Sequence, residues 1–175
     1  SAWEKMGKPK IFNFVELGPG DGSLTKVIIS TLKKFPELNK AIKIYLYEKS
    51  LFLKKLQKQN IDNKRIKWIK NFNSIKKGPV IFFGNEFFDA IPIKQFSNIN
   101  NELFEKYYSV KDNVDIIEKF IRGNKKDIAQ IMTFGTLKKL KFIEFPKKGL
   151  IELNPIIKKI NKLSGGILLI DYGYL

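Results

Sequence analysis

Apolar runs and segments with helical spacing alternate along the first half of the chain. Between residues 24 and 35, apolar side chains recur every three or four positions, which predicts a helix that Pro36 ends. A second helix is predicted over 50–59, with Ser50 as its N-cap. Strands are predicted for the apolar runs at 11–17, 41–48, 65–69, 78–86 and 165–175. Because these runs are almost wholly apolar and alternate with helices, they indicate an α/β fold with a mostly parallel sheet covered on both faces.

The pattern changes after residue 90. Two extended segments flank the sequence SNINN within 91–110, which favours a β-hairpin. The lysine-rich stretch 112–148 has weaker periodicity and predicts at least one helix. The sequence GLIEL at 149–153 is typical of a short strand, and NPIIKKINKL after it predicts a helix with Pro155 in its first turn.

These patterns predict how the chain is organised. We expect one domain over 1–175, in which a core made of 11–90 and 149–175 is interrupted by an insertion at 91–148. The chain stops soon after the fifth core strand, so we also expect further elements of the domain to lie outside it, as in a truncated version of the fold.

Composition excludes several kinds of chemistry. The chain contains no cysteine and no histidine, which excludes disulfides, thiol nucleophiles, a histidine base and zinc sites built from these residues. We expect no metal site, and catalysis would depend on carboxylates, lysine, tyrosine, backbone groups or a cofactor. No apolar run approaches the ~20 residues of a membrane span, so we expect none.

The formal net charge of +16 has two interpretations. One is a surface for nucleic acid or an acidic membrane. However, Arg65 and Arg122 are the only arginines, and the lysines are scattered with no run longer than two. Because nucleic-acid surfaces usually rely on clustered arginine, we favour a general drift in composition and expect no specific nucleic-acid partner.

The sequence VELGPGDGSL places glycines at alternate positions directly after the first predicted strand. Gly18, Gly20 and Gly22 allow a sharp turn in which the backbone approaches a ligand without interference from Cβ atoms. Glu16 and Asp21 would repel a pyrophosphate, because two charges ~4 Å apart interact by about 1 kcal/mol in water and about 4 kcal/mol at a dielectric near 20. They favour a cationic ligand without phosphate, and S-adenosylmethionine, with its sulfonium and α-ammonium groups, fits this description.

Acidic residues also follow other predicted strands. In an open parallel sheet, ligands bind at the carboxyl ends of the strands. Glu48 ends the second strand, where a carboxylate can accept hydrogen bonds from both ribose hydroxyls; the alternative is a solvated acid at a strand end. Asp171 and Tyr172 end the fifth strand.

The sequence GNEFFDAIPIKQF follows the fourth strand and predicts a substrate pocket. Asn85, Glu86 and Asp89 would lie beside the crevice, with carboxylates suited to a cationic nitrogen and with Phe87 and Phe88 between them. The alternative is that both phenylalanines are core residues and Asp89 caps a turn. Methyl transfer requires mainly alignment and electrostatics, so the lack of histidine is no objection to it.

Three stretches carry a family resemblance: VELGPGDGSL, NEFFDAIPIKQF and LLIDYGY. In this order they resemble the MidA-like family of class I S-adenosylmethionine-dependent methyltransferases, which includes a mitochondrial complex I assembly factor. The resemblance implies a Rossmann-like fold and a protein substrate, with an arginine of a respiratory complex I subunit as the suggested acceptor. Family members are longer, with a helical region before the first motif and more strands after the last, so this chain resembles their central piece.

The resemblance also implies roles for individual residues. Gly18, Gly20 and Gly22 would face the methionine part of the cofactor and Glu48 its ribose, with Glu16 and Asn85 also at the cofactor. Glu86 occupies the position at which protein arginine methyltransferases hold a guanidinium group with a carboxylate. Asn85 and Asp89 complete the expected catalytic set.

Three other functions stay open. A nucleic-acid methyltransferase is favoured by the charge and by Asn85 followed by aromatics, but the Pro-Pro-aromatic turn expected after the fourth strand is absent. A non-catalytic module that binds the cofactor and assembles a partner is the second. A dehydrogenase is the third, disfavoured by Glu16 and the glycine spacing. We expect the protein in the cytoplasm if bacterial and in the mitochondrial matrix if eukaryotic.

Overall fold

A computed structural model describes residues 1–111 and 114–172, without the side chain of Lys138. The chain divides into two compact units. The first consists of Ser1–Ala90 together with the chain from Leu153 onward, and the second is Ile91–Glu152. Whether both form one folding domain stays a prediction.

The strands form two sheets. In chain order they are β1 (Phe12–Leu17), β2 (Ile42–Tyr47), β3 (Lys67–Ile69), β4 (Val80–Asn85), β5 (Lys94–Ile99), β6 (Glu102–Lys111), β7 (Asp115–Arg122), β8 (Phe142–Phe145) and β9 (Gly165–Ile170). The sheet of the first unit has the order β3-β2-β1-β4-β9, and each neighbouring pair is parallel. The predicted α/β fold with a parallel sheet is therefore confirmed.

The helices are named in the same way. They are α1 (Ala2–Lys5), α2 (Ser23–Leu32), α3 (Pro36–Ala41), α4 (Leu51–Asn60), α5 (Lys125–Met132) and α6 (Lys147–Leu163), with a 3₁₀ turn at Leu137–Lys139. Ser50 caps α4 as predicted, since its hydroxyl accepts a hydrogen bond from Leu53 N at 3.2 Å.

Apolar side chains cover both faces of the parallel sheet. Successive residues of a strand point to opposite faces, so β1 and β2 supply both layers. On one face, Val15, Leu17 and Tyr47 pack with Ile156 from α6. On the other face, a second core cluster is formed by Leu32, Ile44, Leu46, Ile61 and Ile66. This burial on both faces explains why the strand sequences are continuously apolar.

The second unit contains an antiparallel sheet. Its strand order is β7-β6-β5-β8, and its core is built around Phe96, Ile131 and Phe145. The predicted hairpin corresponds to β5 and β6, joined at Asn100 and Asn101, which have φ angles of 51° and 64°. Asparagine adopts this left-handed conformation more readily than most residues.

Three local predictions were wrong. Pro36 does not simply end a helix: α2 stops at Leu32, and Pro36 opens α3, a position where its missing N–H is tolerated. Residues 149–153 are helical instead of extended, and Pro155 lies inside α6 instead of in its first turn. Five residues are too few to separate strand from helix by pattern.

The stretch 112–148 contains the predicted helix, α5, but also two strands that the sequence reasoning missed, β7 and β8. Most of the side chains of β7 are exposed, so its apolar residues do not follow the alternation of a half-buried strand. Within the described residues, no helix is long and apolar enough to cross a membrane.

Strand β9 lies at one edge of the parallel sheet. It pairs with β4 from Val80↔Gly165 to Asn85↔Ile170, and no other described strand pairs with its outer side. Leu168, Leu169 and Ile170 are all exposed. The edge therefore offers both unpaired backbone groups and apolar side chains.

Candidate functional site

The parallel register brings the carboxyl ends of the strands to one edge of the sheet. Leu17, the last residue of β1, is opposite Tyr47 in β2 and opposite Gly84 in β4. The chain leaves β1 into the glycine turn, and Gly18 N donates to Tyr47 O at 3.0 Å. The turn therefore begins between the residues that precede Glu48 and those that precede Asn85.

The three glycines of the turn have positive φ angles but different surroundings. For Gly20, with φ 57°, no atom lies within 4 Å of the position a Cβ would take. A Cβ on Gly22, with φ 87°, would lie 2.7 Å from Ile61 Cδ1, and one on Gly18 would lie 3.0 Å from Phe87 Cδ2. Gly18 and Gly22 thus allow close packing within the protein, whereas Gly20 leaves open space where a ligand could approach.

Glu48 lies directly after β2 and is only 8% exposed. Its Oε1 accepts a hydrogen bond from Ser50 N at 2.8 Å, and its Oε2 accepts one from Gln57 Nε2 at 3.1 Å. The carboxylate is therefore fixed in orientation, which does not fit the alternative of a freely solvated acid at a strand end. Its role at a ribose stays a prediction.

Glu16 lies deeper than the sequence suggested. Its side chain is 3% exposed, and its carboxyl group accepts a hydrogen bond from the hydroxyl of Thr25 in α2. Burial raises the pKa of the Glu16 carboxyl, and the hydrogen bond from Thr25 offsets part of this increase. Glu16 therefore links the end of β1 to the first turn of α2, and a direct contact with a cofactor stays a prediction.

Asn85, Glu86 and Asp89 are all exposed at the end of β4. Glu86 has a φ angle of 52° and its N–H donates to Ile170 O at 2.8 Å. A residue with a Cβ in this conformation is strained, and such strain is often found at functional sites. Phe87 and Phe88 are half-buried, with ring centroids 5.1 Å apart, and Phe87 packs against Gly18.

Asp171 and Tyr172, which follow β9, interact with Asp89 at this edge. Desolvation raises the pKa of Asp89, and a hydrogen bond and charge repulsion from Asp171 raise it further. The pKa of Tyr172 is raised, mainly by the negative charge of Asp89. The structure therefore brings Asp89, Asp171 and Tyr172 together, which produces a negative region suited to a cation.

Sequence reasoning missed Gln57. This residue of α4 is completely buried and bonded to the glycine turn, to Glu48 and to Trp68. Its only signal in the sequence is its position one turn after Leu53, on the inward side of the helix, where an apolar residue would be expected.

The residues at this edge fit S-adenosyl-L-methionine. Gly20 leaves a cradle that a Cβ would fill, Glu48 presents a fixed acceptor, and the exposed acids favour a cation over a pyrophosphate. Gly22 has no side chain to cap α2, and the first amide of the helix, Ser23 N, already donates to Asp21 Oδ1 at 2.9 Å. A ligand carboxylate would therefore have to meet the amides after it. Within the described residues, no group of three or more potential metal ligands occurs.

Cavities are also present elsewhere. One of about 600 Å³ is lined by Trp3, Lys8 and Phe35 among others. Trp3 packs with Phe12 and Ala41, at the amino ends of β1 and β2. This cavity is therefore at the opposite edge of the sheet from the strand ends described above.

Comparison with known proteins supports the cofactor class. The family model "Putative S-adenosyl-L-methionine-dependent methyltransferase" matches residues 1–175. The chain is 24% identical over 199 residues to the mitochondrial protein arginine methyltransferase NDUFAF7 of Xenopus laevis, covering 100% of this chain and 46% of that protein. For the Caenorhabditis elegans homologue, identity is 27% over 186 residues, covering 93% and 43%.

A solved structure shares the fold. It is a Burkholderia thailandensis protein bound to S-adenosyl-homocysteine, with a TM-score of 0.69 and 16% identity, covering 99% of this chain and 44% of that one. The chain therefore spans less than half the length of these relatives. Since the family model matches the whole of this chain, the chain belongs to a family of S-adenosyl-L-methionine-dependent methyltransferases, as the three sequence motifs indicated.

Proposed function

We propose that this chain carries the cofactor-binding part of an enzyme that methylates an arginine side chain of a protein. The observation that carries the proposal is the single edge where the open turn at Gly20, the fixed carboxylate of Glu48 and the exposed acids after β4 occur together. The names of the relatives, protein arginine methyltransferases of mitochondria, support the choice of acceptor.

Different residues of this edge would bind different portions of the cofactor. The turn of Gly18, Gly20 and Gly22 would hold the methionine portion, with its carboxylate near the amides of α2 that follow Ser23. Glu48 would accept hydrogen bonds from the ribose hydroxyls. When bound, the cofactor supplies an activated methyl group on a sulfonium, so the transfer needs no metal and no histidine.

The acids after β4 would act on the acceptor. A guanidinium group donates hydrogen bonds in a fixed fork that carboxylates match, and Glu86 and Asp89 would accept them. As the acceptor nitrogen bonds to the methyl carbon and the carbon–sulfur bond breaks, the nitrogen must lose one proton. Asp89, whose pKa is raised by desolvation and by Asp171, would accept that proton. Asn85 would contribute its amide at the same point.

The partner proposed for this activity is a respiratory complex I subunit, and the compartment is the mitochondrial matrix in a eukaryote or the cytoplasm in a bacterium. Both proposals are supported by the family resemblance and by the mitochondrial names of the relatives.

Calorimetric titration tests the cofactor site. We expect S-adenosyl-L-methionine and S-adenosyl-homocysteine to bind, and NAD not to bind. Glu48→Gln should weaken binding by about 10- to 100-fold, because hydrogen bonds to a charged group contribute about 1.5–3 kcal/mol. The matched control is Glu37→Gln, an exposed glutamate in α3, which should change affinity less than twofold. NAD binding at this edge would contradict the proposal.

Transfer of a radiolabelled methyl group to proteins of a cell extract tests the reaction. We expect label in arginine after acid hydrolysis, and its loss in the Glu86→Gln variant. Cofactor binding without transfer to any protein would instead favour the non-catalytic assembly module.

One observation favours a second candidate, a nucleic-acid methyltransferase. A cavity of about 290 Å³ beside Tyr47 is lined by lysines and asparagines. The lysines are Lys70, Lys158, Lys159 and Lys162. Burial and the charge of Lys162 lower the pKa of Lys159, so an anion there would relieve the repulsion. RNA or DNA binding that weakens steeply with salt would favour this candidate.

A further inference from the structure

Gln57 is the polar residue of α4 that is fully withdrawn from solvent, with 0% of its surface exposed. A buried amide requires hydrogen-bond partners for its oxygen and for both of its N–H groups. The side chain has all three. Nε2 donates to Gly20 O at 2.7 Å and to Glu48 Oε2 at 3.1 Å, while Oε1 accepts from Trp68 Nε1 at 3.0 Å.

The chemistry of these partners fixes the orientation of the amide. The indole N–H of Trp68 can only donate, and a carbonyl and a carboxylate can only accept. If the amide of Gln57 were rotated by 180°, its oxygen would face two acceptors and its N–H groups would face a donor. Only one orientation therefore satisfies the buried groups.

These hydrogen bonds fix the orientation of the Glu48 carboxylate but leave some of its acceptor positions unoccupied. An ionised carboxylate has about four acceptor positions. Ser50 N occupies one on Oε1, and Gln57 occupies one on Oε2. One position thus remains on each oxygen, which is the number that two neighbouring hydroxyl groups of a ribose require.

Side chains of α4 also bind the backbone of the glycine turn. Gln57 binds the carbonyl of Gly20, and Asn60 Nδ2 donates to the carbonyl of Asp21 at 3.0 Å. Both contacts are made through backbone oxygens, and the space at the missing Cβ of Gly20 stays open. The turn is therefore fixed without its outer side being covered.

We propose that Gln57 is a positioning residue for the cofactor: its amide couples the turn at Gly20 to the carboxylate of Glu48, so that both are in place before binding. The inference rests on the proposed function of this edge. Its physical basis is preorganisation, since a ligand that meets fixed groups does not have to order them as it binds. A residue with only a structural role would change the stability of the fold but not the way in which affinity depends on pH.

The variant that separates these roles is Gln57→Glu, which keeps the shape of the side chain. When the introduced carboxyl is ionised, it has no proton to donate and places a second negative charge beside Glu48. When it is neutral, its single O–H can restore one of the two hydrogen bonds. Affinity for S-adenosyl-homocysteine should therefore fall as the pH rises.

Calorimetry with S-adenosyl-homocysteine on the full chain measures this effect. At about pH 8 we expect the variant to bind about 30-fold more weakly than wild type, and at about pH 5.5 only about threefold more weakly. Gln59→Glu makes the same charge change on the exposed side of the same helix, and its affinity should stay within about twofold of wild type at both pH values. Thermal unfolding in the same buffers gives the stability of each variant.

Trp68→Phe provides a second test if Gln57→Glu does not fold. It removes the donor that fixes the amide and leaves an aromatic ring in place, and we expect affinity to fall about three- to tenfold with the number of bound molecules unchanged. Wild-type affinity in this variant, or in Gln57→Glu at about pH 8, would overturn the positioning role. An equal loss at both pH values that follows the loss of stability would also overturn it. If wild type itself binds no S-adenosyl-homocysteine, the proposed function fails and this inference fails with it.

Discussion

The buried carboxyl group of Glu16 links the stability of the fold to pH. Burial raises its pKa, and only the hydroxyl of Thr25 compensates in part. A group whose folded pKa is above its unfolded value stabilises the fold at low pH, and this contribution is lost as the pH rises through the folded pKa. Near neutral pH the ionised form therefore opposes folding.

Glu16→Gln should remove this penalty, because the amide oxygen can still accept the hydrogen bond from Thr25. Relative to wild type, we expect the variant to gain on the order of 1 kcal/mol in unfolding free energy between about pH 4 and pH 7. Urea unfolding at several pH values measures it. Asp62→Asn, at an exposed acid, is the control, and parallel curves for Glu16→Gln and wild type would contradict the prediction.

The glycine turn shows how one element combines two demands. At Gly22 the positive φ and the contact with Ile61 concern packing, whereas at Gly20 the positive φ is accompanied by open space. A side chain at either position is strained, but only the one at Gly22 should also collide with the protein, and only the one at Gly20 should collide with a ligand.

Alanine at these two positions should therefore lower stability and affinity in opposite orders. We expect Gly22→Ala to lower the unfolding free energy by about 2 kcal/mol and Gly20→Ala by about 1 kcal/mol. For the affinity of S-adenosyl-homocysteine we expect the larger loss in Gly20→Ala. Denaturant unfolding and calorimetry on both variants test the crossover, and the same order in both measurements would contradict it.

A partly buried ion-pair network around Asp127 stabilises the second unit. Asp127 is 0% exposed and accepts hydrogen bonds from Asn124 at 2.6 Å and from Lys147; its Oδ2 also lies 2.8 Å from Lys94 Nζ. Burial alone would raise the pKa of Asp127, but the bonds from Lys147, Lys94 and Asn124 outweigh it and hold the pKa at about 2. Lys94 belongs to the stretch NEFFDAIPIKQF, so part of that motif serves this network.

Acid should weaken the network in a defined range. A depressed carboxyl pKa stabilises the fold above the unfolded value, near 4, and this contribution is lost as the pH falls towards about 2. Asp127→Asn should lower the unfolding free energy by about 2 kcal/mol at neutral pH, less than for a fully buried pair because both lysines are partly exposed. Circular dichroism during acid titration tests this, with Asp115→Asn as the exposed control. A variant that loses structure at the same pH as wild type would contradict it.

At the level of elements, the sequence predicted the parallel sheet well and the second unit poorly. Strands such as β1 and β4 are apolar throughout because both faces are covered, and that signal is local. Strand β7 has no such signal, because its partner in the sheet and not its own pattern determines its conformation. In the site, Glu48 and Gly20 follow from strand ends and glycine spacing, whereas the role of Gln57 depends on contacts between distant segments.

The whole molecule has an exposed sheet edge at β9. Its outer side has no partner among the described strands, and Leu168 and Ile170 are exposed there. An open edge with apolar side chains favours pairing with another chain. The chain should therefore associate with itself as its concentration rises.

Replacing Leu168 and Ile170 by lysine should weaken this association by about tenfold or more, since charges on an edge strand oppose pairing. Light scattering over a concentration series measures it. The control carries lysine at Leu51 and Phe52, which are equally apolar and even more exposed but lie on α4, and it should associate like wild type. A wild-type chain that stays monomeric at all concentrations would contradict the prediction.

The hydrogen bond between Trp68 and Gln57 gives the chain a built-in optical reporter. The indole N–H of Trp68 donates to the side-chain amide of Gln57, and the same amide donates to Gly20 O and to the carboxylate of Glu48. The ammonium group of Lys58 lies 5.7 Å from the ring centroid of Trp68. The other tryptophan, Trp3, donates to Pro9 O at the far edge of the sheet and supplies a constant background. Changes in tryptophan fluorescence on adding a nucleoside can therefore be attributed to the surroundings of Trp68. The kinetics of nucleoside binding can then be followed without any dye.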